Sequence, residues 1–151
     1  VRELFIESII YNTDVIIEIN DQAEYYPKGS AIETGLVKYL FDNGVDVNAR
    51  LNKRNKFAKT LAGIPFDIEL KRNIVIRQIP GKAYTARVFM KGAPETVIPL
   101  CSKTLDFKNN ARYIKHQMVL DTDVMNMAKD GLKVLSFAYK DIKMRDLEEV
   151  L

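Results

Sequence analysis

The sequence predicts an α+β domain built on a largely antiparallel sheet flanked by helices. Helical and strand-like apolar spacings are mixed along the 151 residues rather than alternating regularly. Two strand-like runs, Asn73 to Ile79 and Ala83 to Met90, flank Pro80-Gly81-Lys82, whose composition suits a hairpin connection. A hairpin argues for antiparallel pairing and against a doubly wound parallel sheet. The length and a hydrophobic content of 47% suffice for one buried core, so residues 1–151 are expected to form a single domain.

The elements follow in chain order. Leu4, Phe5, Ile6, Ile9 and Ile10 recur at helical spacing, and the β-branched run Val15, Ile16, Ile17, Ile19 predicts a strand. Asp21 to Gly29 contains Pro27 and reads as a loop. A second helix is expected from Ser30, with Ile32, Leu36, Val37, Leu40 and Phe41 as its apolar stripe and Asn43-Gly44 as its stop. Arg50 to Lys59 carries five positive charges and no acid, and reads as either a helix or an excursion. After the hairpin, Pro94 suits the first turn of a helix running toward Cys101. A further helix containing Val124, Met125, Met127 and Ala128 should end at Gly131, ahead of a strand from Leu132 to Tyr139.

Composition excludes several classes of function. The formal charge of +3 is too small to name a partner, although it permits an anionic ligand. Cys101 is the only cysteine, so neither an internal disulfide nor a cysteine zinc site can form, which fits a reducing, cytosolic setting. No apolar stretch approaches the roughly 18 residues of a membrane-spanning helix, and no signal peptide is evident. The sequence opens on Val1 and stops in Asp146 to Leu151, which reads like an interrupted helix, so a fragment of a larger chain is expected.

Val88-Phe89-Met90-Lys91-Gly92-Ala93-Pro94-Glu95 runs from a strand through a lysine and a glycine into a helix start. Gly92 would let a ligand approach the backbone and Lys91 would place a cation beside it. An ordinary turn with a solvated lysine would show the same residues. Phe66 precedes Asp67-Ile68-Glu69-Leu70-Lys71-Arg72, so it could stack on a purine near two cations, or belong to the core. Ser30-Ala31-Ile32-Glu33 matches a capping box, which explains Glu33 structurally; the alternative is a carboxylate that accepts a hydrogen bond from a ligand amino group. His116, between Lys115 and Gln117, reads as exposed and non-catalytic. No nucleophile has an evident base partner, no metal-ligand cluster appears, and neither common phosphate loop is present.

Taken in order, these segments resemble the nucleotide-binding domain of P-type ATPases, ion pumps that form an aspartyl-phosphate intermediate. Lys91-Gly92-Ala93-Pro94-Glu95 matches that family's KGAPE motif letter for letter. Gly29 to Leu36 looks like its acidic helix start, Phe66 to Lys71 like its Phe-x-x-x-x-Lys segment, and Asp130 to Leu135 like its Asp-Gly-Leu-Arg segment. The resemblance implies that adenine sits against Phe66, with Lys91 deep in the pocket and Gly92 lining it. It further implies Glu33 near the adenine amino group, Lys71 close by, and Lys133 facing the phosphates. Ile68, Ile32 and Lys133 depart from the arginine, threonine and arginine usual at those places, and a lysine lacks arginine's planar fork.

The phosphorylated aspartate of the Asp-Lys-Thr-Gly-Thr segment and the magnesium-binding Gly-Asp-Gly aspartates are not in this sequence. Phosphoryl transfer needs an acceptor and metal in line with the γ-phosphate. The resemblance therefore implies a domain with no catalytic residue of its own. It would hold ATP, as MgATP, with the magnesium held mainly by a phosphorylation domain elsewhere in the parent pump. Its partners would be the phosphorylation and actuator domains, with the membrane reached only through the parent chain, on whose cytoplasmic side it would lie. The segment Asp130 to Lys133 through Lys140-Asp141, and the spacing from Phe66 to Lys91, look most like calcium pumps. A competing expectation takes Arg50, Lys53, Arg54, Lys56 and Lys59 as a patch for nucleic acid or anionic lipid, binding through phosphates.

Overall fold

A computed structural model describes residues 3–106 and 108–147. Its centre is a four-stranded antiparallel sheet in the order β3-β4-β5-β8, from β3 (Thr60–Asp67), β4 (Arg72–Gln78), β5 (Thr85–Gly92) and β8 (Ser136–Lys143). The expected α+β class holds. The helices α1 (Glu3–Tyr11), α2 (Ala31–Asp42) and α3 (Val47–Phe57) share a core of Ile6, Ile9, Ile10, Val15, Val37, Leu40, Val47 and Leu51. Strand alternation sends Arg87, Phe89 and Lys91 toward α1: Phe89 meets Tyr11 edge-on at 5.4 Å, and Arg87 reaches Glu7. The intervening residues form a second core on the opposite sheet face, around Ile76, Ala86 and Ile142.

The second helix starts as read, with Ser30 accepting from the Glu33 amide, and it ends at Asn43 before Gly44 at φ 71°. Ile32 is exposed, so the buried stripe narrows to Val37 and Leu40. The basic segment is helical: Asp46 caps α3, and Val47 and Leu51 anchor it. The expected loop from Asp21 to Gly29 contains a strand, β2 (Tyr25–Lys28), paired only with β1 (Ile16–Ile19). An edge position tolerates Pro27, whose missing N–H costs no ladder bond on an open side.

Further along, the hairpin is confirmed with Gly81 at φ 80°, although β5 continues through Lys91 and Gly92 before the chain turns. The helix from Pro94 is one short turn, α4 (Pro94–Val97), followed by a 3-10 turn. A small hairpin, β6 (Lys103–Leu105) with β7 (Ala111–Tyr113), was not expected. Next come α5 (His116–Val119), a π-helical stretch Leu120–Val124 and α6 (Met125–Lys129). The last strand lies four residues beyond its expected start, at Ser136–Lys143 rather than Leu132 to Tyr139. Of the interrupted helix read from Asp146 to Leu151, Asp146 closes a 3-10 turn (Met144–Asp146), and residues 148–151 lie outside the described residues. Among the described residues, no helix is long and apolar enough to cross a membrane.

Arg87 joins α1 to the sheet through Glu7 at 3.0 Å and through a two-point pair with Asp141 at 2.5 and 2.9 Å. The Arg87 hydrogen bonds hold the Asp141 carboxyl below its usual range. A depressed folded-state value stabilises the fold above the unfolded value and is lost as pH falls through the folded one. The denaturation midpoint should therefore drop below the ordinary carboxylate range, and Asp141→Asn should flatten that acid limb. An acid limb unchanged by Asp141→Asn would contradict this assignment.

Candidate functional site

Strand pairing brings five of the six candidate residues to one end of the sheet. There β3 ends, β4 begins, β5 ends and β8 begins, with Asp67, Arg72, Gly92 and Ser136 in lateral register. Phe66 precedes Asp67, Lys71 precedes Arg72, Lys91 precedes Gly92, and Lys133 lies three residues before Ser136. The sixth, Glu33, comes from the first turn of α2 and reaches the same end through its side chain.

Lys91 is 7% exposed, and its Nζ donates to the Asn12 carbonyl and pairs with the Glu33 carboxylate. Thr13 Oγ1 donates to the other Glu33 oxygen at 2.5 Å. The capping-box reading of Glu33 is thus half right. Ser30 takes the Glu33 amide at 3.4 Å, but the carboxylate turns inward to Thr13 and Lys91 instead of back to the helix start. A solvated Lys91 is likewise ruled out by its burial.

Asn12 and Asn73 exchange side-chain amide bonds at 3.3 and 2.9 Å, directly beside Lys91, which is Asn73's partner across β4 and β5. Asn12, Thr13, Asn73, Ile64 and Pro65 help line a recess of about 190 Å³. Sequence reasoning missed Asn12, Thr13 and Asn73, since their role depends on contacts up to 79 residues apart.

Phe66 is 64% exposed, at a place where the β3–β4 register shifts between Ile64 and Asp67. A core role for this ring is thereby excluded. It stands two strand spacings from Lys91, roughly 10 Å, with Asn73 between. Lys71 is exposed, adopts φ 50°, and pairs with Glu95 at 3.3 Å. Its carbonyl accepts from the Ala93 amide at 2.9 Å, which ties the start of β4 to the turn after Gly92.

Gly92 has a structural reason as well. A Cβ there would overlap the Lys71 carbonyl and lie 2.6 Å from Arg72 Cβ, so the glycine makes room for β4. Lys133 is exposed and makes no ion pair among the described residues. His116 departs from its expected exposure: it is partly buried, with Nε2 2.5 Å from the Cys101 carbonyl. In α3, Arg50 pairs with Glu3, and Arg54 donates to the Ile10 and Thr13 carbonyls, so the fold itself engages two of the five cations of the basic segment.

The family described as P-type ATPase, cytoplasmic domain N, matches residues 1–150. A plasma membrane-type calcium-transporting ATPase 3 of Oryza sativa is 25% identical over 143 residues, 93% of this chain and 13% of that protein. A plasma membrane-type calcium-transporting ATPase 4 of Arabidopsis thaliana is 24% identical over 144 residues, 94% of this chain and 13% of its own length. A probable cation-transporting ATPase 13A5 of Homo sapiens is 34% identical over 91 residues, 60% of this chain and 7% of that protein. The chain therefore spans only a small part of the relatives it matches.

Proposed function

We propose, from the premise that this chain belongs to the P-type ATPase cytoplasmic N domain family, that it holds ATP for a cation pump. The observation that carries this reading is the sheet end, where the strand register sets an exposed phenylalanine about two strand spacings from a buried lysine-glutamate pair. Phe66 supplies an open aromatic platform for adenine. Lys91 and Glu33 supply a donor and an acceptor fixed by Asn12 and Thr13. Lys71 and Lys133 are exposed cations at the same end, available to the phosphates. Gly92 contributes by keeping β4 and β5 close enough for these groups to converge.

The chemistry of transfer lies outside this chain. No Asp-Lys-Thr-Gly segment is present to accept a phosphoryl group, so magnesium and the acceptor aspartate belong to a phosphorylation domain of the parent pump. Calcium is the transported ion we assign, from the names of the plasma membrane-type relatives. The parent pump places the domain on the cytoplasmic side of its membrane, against phosphorylation and actuator domains.

The Phe66→Ala variant tests the platform. Base stacking on an aromatic ring contributes about 1 to 3 kcal/mol, so ATP affinity should fall about fivefold to 150-fold by calorimetry. Truncating an exposed ring should leave the urea midpoint nearly unchanged, whereas a buried phenylalanine would cost about 3 to 5 kcal/mol. An unaltered ATP affinity would remove Phe66 from the site.

A further inference from the structure

Adjoining the smaller recess, with which it shares Thr13, Asp14 and Arg77, a larger one of about 450 Å³ opens between α3 and the stretch from Thr13 to Ile17. Asn48, Asn52 and Asn55 sit at i, i+4 and i+7 on α3, which puts three side-chain amides on the face lining it. Arg54 from α3 and Arg77 from β4 also line it, and both are half-buried.

Their protein contacts are to neutral groups. Arg54 donates to the carbonyls of Ile10 and Thr13 at 2.9 and 2.7 Å and to the Asn55 side chain. Arg77 donates to the Tyr11 carbonyl at 2.6 Å and the Ala58 carbonyl at 3.1 Å. These bonds use Nε and Nη1 of each, and neither arginine has an ion pair among the described residues. Burial, followed by repulsion from Arg54, brings the Arg77 guanidinium down to about 10. Asp14 is the carboxylate that faces both, and it is itself exposed. Two guanidinium groups are thus held in a partly dry recess with one solvated counter-charge, a charge deficit that an oxyanion would offset.

We infer that this recess is an oxyanion site for a phosphate group, seated on the free edges of Arg54 and Arg77 with the Asn48 and Asn52 amides as further donors. Two planar forks and neutral amide donors suit the several oxygens of a phosphate. The source is either free inorganic phosphate or the phosphate of a small monoester.

Titrating the 151-residue chain by NMR with inorganic phosphate, and separately with glycerol phosphate, distinguishes the sources. Saturable shifts of the Asn48 and Asn52 side-chain amides and the Arg54 Nε–H are expected with at least one probe. Asn52→Asp sets a carboxylate at the mouth without removing any hydrogen bond of the fold, and should weaken that binding at least about tenfold. Adenosine, which lacks phosphate, should leave these signals in place. Shifts that never saturate with either probe, or affinity unchanged in Asn52→Asp, would overturn the inference.

Discussion

Replacing Lys91 with methionine should lower the unfolding free energy by about 3 kcal/mol, because it strands the Glu33 carboxylate in a site that shields it from water. Thr13 remains to donate to Glu33, but one hydroxyl does not neutralise a charge. Replacing both members of such a pair is far less costly than removing one. The double variant Glu33→Gln with Lys91→Met should therefore recover most of the lost stability, since the new amide oxygen still accepts from Thr13. ATP affinity should not recover with it, because the ammonium is still missing. Equilibrium urea denaturation and calorimetry, run on the single and double variants, separate the two effects. If both single variants were as stable as the parent chain, the pair would not be the buried link described here.

The second large effect is expected at Gly92. Gly92→Ala would drive its new methyl into the Lys71 carbonyl and the Arg72 backbone, which are fixed by the β4–β5 ladder and cannot rotate away. Overpacking of this kind typically costs about 1 to 3 kcal/mol, and a rigid backbone neighbour places this case at the upper end. The strands would separate where Lys71, Lys91 and Ala93 meet, so ATP binding should weaken as well. Gly35→Ala makes the comparison, because Gly35 lies inside α2 with open space around it and should gain about 0.5 to 1 kcal/mol. Urea midpoints that moved the same way for both would show that the clash at Gly92 is relieved.

Some of this was legible because the determinants are local. Ser30 and the Asn43-Gly44 stop bound α2 through interactions a few residues apart, and Pro80-Gly81-Lys82 turns its hairpin through backbone preference. The segments holding Phe66, Lys71, Lys91 and Lys133 come to one end of the sheet because each lies where a strand starts or stops, whereas Glu33 comes from the start of a helix. What escaped depends on distant partners. Glu33 has Lys91, 58 positions later, as its ionic partner, and one sequence offers no means of seeing that pair against the local capping reading. The strand β8 was placed too early because Leu132, Val134 and Leu135 are apolar, while the charged stretch from Lys140 to Lys143 is a strand by virtue of pairing with β5 and of the Arg87–Asp141 contact. Similarly, α3 has few apolar residues, and its helical state rests on the Asp46 cap with two core anchors.

The most direct measurement is a two-dimensional NMR titration of the chain with ATP, with and without magnesium, and in parallel with GTP and a short DNA duplex. Saturable amide shifts should cluster at Ser30 to Thr34, Phe66 to Lys71 and Lys91 to Ala93, with little dependence on magnesium and a weaker response to GTP. Shifts confined to Arg50 through Lys59, produced equally by DNA, or no saturable response to ATP at all, would contradict the assignment of the sheet end as a nucleotide site.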